Sequence, residues 1–124
     1  MEKKILIVDD SSTVRQQVRV ALATAGFEVI EAADGVEAAE ILAERKDLGA
    51  VLCDVNMPRM GGLEMLELVQ AKGHLNGLPV VMLTTEGQQA LVQRAKQAGA
   101  RGWIVKPFKP EQLVATMRKL TARS

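Results

Sequence analysis

Five short, apolar, mostly β-branched runs recur along this chain, and helix-length segments separate them. The runs are KILIV (4–8), FEVIE (27–31), AVLC (50–53), PVVML (79–83) and WIV (103–105). Each has the length of a buried strand. The segments between them repeat apolar residues at helical spacing. Residues 13–25 put Val14, Val18, Leu22 and Ala25 on one face; residues 35–45 do the same with Val36, Ala39 and Leu42. Leu63, Leu66 and Val69, then Leu91, Ala95 and Ala98, then Leu113, Val114, Met117 and Leu120 mark three more helices, over 63–71, 88–98 and 110–121. Ser11, Ser12 or Thr13 can cap the first helix, Gly26 and Gly99 fall where a left-handed residue ends a helix, and Pro110 suits a first turn. Five strand–helix units in alternation predict an α/β fold. Its sheet is parallel and covered by helices on both faces.

The 124 residues are enough for one domain with a real core. A composition that is 48% hydrophobic and 25% charged excludes a disordered chain. A formal net charge of +1 with no basic run gives no footprint for nucleic acid or an anionic membrane. The apolar runs are too short for a membrane span or a signal peptide. One cysteine rules out an internal disulfide and fits the cytoplasm; one histidine beside it argues against zinc.

Chemistry gathers where the strands end. The first run ends in Asp9-Asp10, the third in Asp54, the fourth in Thr84-Thr85 and the fifth in Lys106-Pro107. The second ends at Glu31-Ala32 without obvious chemistry. In a parallel sheet the carboxyl ends share one edge, and ligands bind there. Asp54 alone could be a cap, a metal ligand or a nucleophile. Beside Asp9 and Asp10 it is one of three carboxylates that repel one another. A hard divalent cation with oxygen ligands, Mg²⁺, resolves that conflict. Lys106 adds an ammonium and Thr84 a hydroxyl. Cation, ammonium and hydroxyl around a carboxylate suit a phosphoryl group, and a carboxylate can itself be phosphorylated.

VDDSSTVR, EAADGVEA, LCDVNMPRMGGLE, MLTTEGQ and AGARGWIVKPF together span nearly the whole chain. At these residues the sequence closely resembles the receiver domains of two-component response regulators, nearest the stand-alone chemotaxis (CheY-like) type. The resemblance implies a flavodoxin-like three-layer sandwich with strand order 2-1-3-4-5, which brings strands 1, 3, 4 and 5 side by side. It implies that Asp54 accepts a phosphoryl group from the phosphohistidine of a sensor histidine kinase. Asp10 and Asp54 then bind Mg²⁺ directly, Asp9 through water, and Asn56 through its backbone carbonyl. Lys106 is the phosphate-pairing lysine, Pro107 the proline behind a cis peptide, and Thr84 the switch hydroxyl. Thr85 and Asn56 flank the phosphate, and Asn56 and Glu86 tune autodephosphorylation. Trp103 holds the aromatic switch position. The output is protein binding through the fourth helix, fifth strand and fifth helix of a monomer. A flagellar motor switch protein is the first expected target, and catalysis is confined to the chain's own phosphorylation and slow dephosphorylation.

Three positions depart from the family pattern. Trp103 stands where Tyr, Phe or His is usual, and the chain has no tyrosine. Gly61 replaces an acid, weakening the cap of the third helix. Val55 follows the acceptor where well-known chemotaxis regulators carry tryptophan. Blander roles compete elsewhere. Glu86 could be a first-turn acid, Cys53 a buried hydrophobe, and His74 a loop residue. The methionines could be core filler, with Met57 and Met60 beside the site. Lys109, Arg118, Lys119 and Arg123 could be a solvated basic face. An aspartyl-phosphate phosphatase of the haloacid dehalogenase class wants an acid two residues after its nucleophile, but Asn56 and Ser11 occupy those places. No glycine-rich nucleotide loop follows any strand. Met1 and an end just past the last helix fit a single receiver domain over 1–124 without an output domain. A receiver cut from a larger regulator or hybrid kinase, or a phosphate sink, is the alternative.

Overall fold

Hydrogen-bonded pairing sets the five strands in the parallel order β2-β1-β3-β4-β5. The computed structural model describes residues 3–57, 59–75, 77–85 and 89–122. Along them run β1 (Lys4–Val8), α1 (Ser12–Thr24), β2 (Glu28–Ala32), α2 (Gly35–Glu44), β3 (Ala50–Asp54), α3 (Gly62–Ala71), β4 (Val80–Thr85), α4 (Gln89–Gln97), β5 (Gly102–Lys106) and α5 (Pro110–Thr121). Every element expected from the sequence is present, and the boundaries move by a residue or two.

The period of two along each central strand divides the core. Leu6 and Val8 of β1, Val51 and Cys53 of β3, and Val80 and Met82 of β4 face the layer of α2, α3 and α4. Ile5 and Ile7, Ala50 and Leu52, and Val81 and Leu83 face α1 and α5. All twelve are fully shielded from solvent. Burying each large side chain contributes about 1.5–3 kcal/mol against the entropy of ordering the chain. Strand β5 is an edge: Ile104 is buried, while Trp103 and Val105 on its other face are exposed.

The caps follow local chemistry. The Ser11 hydroxyl accepts from the Val14 N–H at the start of α1. Gly26 and Gly99 hold positive φ, 97° and 107°, just beyond α1 and α4. Gly61 caps α3 without a side chain, but the Glu64 carboxylate accepts from its N–H at 3.2 Å. That contact restores half of a capping box. The chain leaves β1 through α1 on one face, and leaves β3 through α3 on the other. The winding therefore reverses between β1 and β3, and a crevice opens at their carboxyl ends.

Candidate functional site

Register fixes what meets in that crevice. Val8 pairs with Cys53, so Asp9 and Asp54 are the next residues on two adjacent central strands. Asp54 pairs with Leu83, and Thr84 follows it on β4. Thr85 pairs with Lys106, the last residue of β5. Carboxylate oxygens of Asp9, Asp10 and Asp54 lie within 4.8 Å of one another. Asp9 and Asp54 are buried, whereas Asp10 is exposed.

The Lys106 ammonium reaches across the crevice to both buried acids. Its Nζ lies 3.1 Å from Asp9 Oδ2 and 3.2 Å from Asp54 Oδ2. Three carboxylates against one ammonium leave an excess of negative charge. Burial raises the proton affinity of Asp54 above the ordinary carboxylate range, and the charge of Asp9 raises it further; Lys106 opposes both. Burial works against the charge on Lys106, but Asp54 and Asp9 outweigh it and hold the ammonium more firmly protonated than usual. One further donor, the Asn56 N–H, reaches Asp54 Oδ1 at 3.3 Å.

The backbone around these acids is braced. The Ser11 N–H donates to Asp9 Oδ1 at 2.9 Å, and Arg15 Nη1 donates to the Asp9 carbonyl at 2.6 Å. Behind Asp54, helix α3 begins at Gly62. A Cβ there would sit 2.1 Å from the Asp54 carbonyl oxygen, so the helix approaches this closely only with glycine. Gly62 N–H donates to the Val55 carbonyl at 3.0 Å, and Gly35 N–H to the Met60 carbonyl at 3.0 Å. Arg59, in a left-handed conformation with φ 65°, donates to Asp34 Oδ2 at 2.8 Å. The loop after Asp54 is thereby tied to the starts of α2 and α3.

Thr84 is buried at the end of β4 and Thr85 is exposed. Asn56 is exposed beside Asp54. The Lys106-Pro107 bond is cis, as the resemblance implied. Trp103 is 39% exposed, on the outer face of β5, and the Lys96 ammonium lies 5.7 Å from its ring centroid. The Trp103 indole therefore faces outward. Cys53 is fully buried and its thiol is pushed well above its ordinary value by burial, in keeping with a packing role. Met57 and Met60 are half-buried against the core. Glu86 and Arg123 lie outside the described residues.

The second strand has more chemistry than its sequence suggested. Glu31 accepts from Arg15 Nε at 2.9 Å and from Arg19 Nε at 2.7 Å. Those two arginines, together with the Asp34–Arg59 pair, Lys96 over Trp103 and the close approach at Gly62, are the features that sequence reasoning missed. The doubled Gly61-Gly62 was a signal for the last. Nothing local marked Arg15, because its partners lie just after β1 and on β2.

The donor set suits a hard divalent cation. It offers oxygen atoms alone, from three carboxylates clustered without matching positive charge. Asp9, Asp10 and Asp54 could hold such an ion. No helix among the described residues is long and apolar enough to cross a membrane.

A doubly wound sheet with an acid cluster at its switch point and an ammonium from the edge strand defines a class: an α/β domain with a charged crevice at the carboxyl ends of its strands. Comparison with known proteins narrows it. Residues 5–118 match the response regulator receiver domain. Over 111 residues the chain is 43% identical to a chemotaxis protein CheY homolog of Campylobacter jejuni, covering 89% of this chain and 85% of that one. It is 44% identical to chemotaxis protein CheY1 of Helicobacter pylori strain J99 over the same length, covering 90% of that protein. The solved structure of Vibrio cholerae chemotaxis protein CheY4 superposes with a TM-score of 0.88 at 42% identity. The match covers 97% of this chain and 99% of that one. This chain belongs to the response regulator receiver domain family, and the three relatives just described are chemotaxis proteins of the CheY type.

Proposed function

We propose that the chain is a phosphorylation switch in which Asp54 takes a phosphoryl group from the phosphohistidine of a CheA-like sensor kinase. One observation carries this: the buried Asp54 carboxylate stands within 4.8 Å of the oxygens of Asp9 and Asp10 and is paired with the Lys106 ammonium at 3.2 Å. A carboxylate can itself be the nucleophile, and the ammonium is in place for the incoming charge. An Asp54 oxygen bonds to phosphorus as the phosphorus–nitrogen bond of the donor breaks. The electron pair leaves with the imidazole, which takes up a proton. Lys106 shifts its contact onto the new oxygens, and the Thr84 hydroxyl at the end of β4 turns to donate to them, with Thr85 beside it. Asp9, Asp10, Asp54 and the Asn56 carbonyl would hold Mg²⁺, which supplies charge neutralisation at the phosphoryl group when bound.

Space vacated around Thr84 lets Trp103 move inward, and the α4–β5–α5 face changes shape. That face carries exposed Trp103 and Val105 beside basic residues of α4 and α5, so it suits a protein with an acidic and apolar segment. A flagellar motor switch protein is the first candidate, by likeness to the chemotaxis relatives. A partner preferring the changed face shifts the population toward it. The chain acts in the cytoplasm and turns over no external substrate beyond its phosphodonor. Asn56 and Glu86 set the lifetime of the phosphoryl group.

The test is labelling with a small-molecule phosphodonor and Mg²⁺. One alkali- and hydroxylamine-labile phosphate is expected per chain, and none in Asp54→Asn. Undiminished labelling of that variant overturns the assignment. Sustained turnover of a phosphoester points to a phosphatase instead.

A further inference from the structure

Arg15 stands in an awkward place. Its guanidinium lies against the loop that carries Asp9 and Asp10, and its side chain is only 18% exposed. A guanidinium beside clustered carboxylates ordinarily pairs with one of them, since the bidentate contact is strong. Here it touches Asp9 through the main-chain carbonyl. Its remaining contact is with Glu31, from the neighbouring strand β2. Glu31 also engages Arg19, one turn further along α1, and its carboxyl is held below the usual range first by Arg19 and then by Arg15 against the cost of burial. Arg19 reaches Glu31 and the Val29 carbonyl, both on β2.

We infer that Glu31 is a positioning residue that restrains Arg15, so that the arginine braces the Asp9 carbonyl and leaves the acid cluster free for a divalent cation. The carboxylate at the end of β2 supplies the counter-charge Arg15 would otherwise take from Asp9 or Asp10. Loss of Glu31 releases the guanidinium to compete with the cation. The inference rests on the cation-binding reading of the acid cluster.

The two ideas separate in one experiment, the affinity for Mg²⁺ measured by calorimetry and by amide shifts in four proteins. Wild type must bind, and Asp10→Asn must bind far more weakly; failure there removes the cation site itself. Glu31→Gln is expected to weaken Mg²⁺ by about fivefold or more, the scale of a partly buried ion pair. Adding Arg15→Gln to it removes the competitor, at the cost of one hydrogen bond to a main-chain carbonyl that is not a cation ligand, and recovers most of the lost affinity. Adding Arg19→Gln instead removes the same charge and does not restore it. Equal rescue by the two arginine substitutions shows a bulk charge effect and overturns the inference. So does a Glu31→Gln protein that binds as wild type does. Thermal unfolding without Mg²⁺ reports any structural loss separately.

Discussion

Replacing Gly62 with alanine tests the link between helix α3 and the acid at the end of β3. The added carbon would lie 2.1 Å from the Asp54 carbonyl oxygen, 2.8 Å from Cys53 Sγ and 2.9 Å from the Asp54 carbonyl carbon. A Cβ essentially never stands closer than 3.0 Å to another heavy atom, so the new group must retreat by about 0.9 Å or more. Rotating Cys53 relieves one contact. The other two are backbone of a central strand, paired on one side to β1 and on the other to β4. The helix must therefore give way, although Leu63, Met65, Leu66 and Val69 anchor it in the core. Overpacking of this kind costs about 1–3 kcal/mol, and a clash with backbone belongs at the upper end. For 124 residues the unfolding entropy is about 0.26 kcal/mol/K, so 2–3 kcal/mol lowers Tm by about 8–12 °C. Calorimetry at neutral pH reads this directly. Gly26→Ala is the control: a Cβ there meets nothing within 4 Å, and only the positive φ opposes it. It should cost about 1–2 kcal/mol, or roughly 4–8 °C. Gly62→Ala should also slow labelling of Asp54, because the carbonyl that moves belongs to the proposed phosphoacceptor. A Gly62→Ala protein within 2 °C of wild type and labelled at the same rate would falsify the view that this close approach fixes Asp54.

Three further outcomes are expected. Asp54→Asn should raise Tm at neutral pH without divalent ions, since it removes a buried charge facing Asp9. The native carboxyl binds its proton above the unfolded value of 3.8, so native stability falls as pH rises from there through the native pKa. The advantage of the variant should therefore shrink as pH is lowered across that window, and a pH-independent gap refutes the cause. Leu83→Ala empties a fully buried site between β4 and the α1–α5 layer; urea unfolding should report a loss of about 2–5 kcal/mol. Lys96→Gln removes the ammonium over the sole tryptophan, so emission should change while stability shifts by about 1 kcal/mol or less.

The strands were legible because a central parallel strand is buried on both faces. KILIV, AVLC and PVVML are then apolar at every position, and each polar residue that ends them stands out. Asp9, Asp10, Asp54, Thr84 and Lys106 could be singled out for that reason. The helices were legible from their spacing, and their ends from Ser11, Gly26, Gly99 and Pro110. Strand order came with the resemblance, since alternation alone permits several. Glu31 was passed over for a related reason. A lone carboxylate at a strand end carries no mark of which arginine it will meet, and Arg15 and Arg19 lie on a different element, 16 and 12 residues away.

By itself, then, the sequence determined the alternation of elements, the two-sided core and the set of polar groups at one edge, because these follow from local periodicity and from which residues a core rejects. Tertiary structure decided the distances. Only the β1–β3–β4–β5 adjacency brings Lys106 within 3.2 Å of Asp54 across half the chain, and burial beside Asp9 makes Asp54 more basic than a carboxylate in water. The outward setting of Trp103 under Lys96, the pinning of Arg15 by Glu31 and the seat of α3 against Asp54 are likewise contacts between elements. Through-space interaction sets their strength, and it depends on where the fold places partners that the chain keeps far apart.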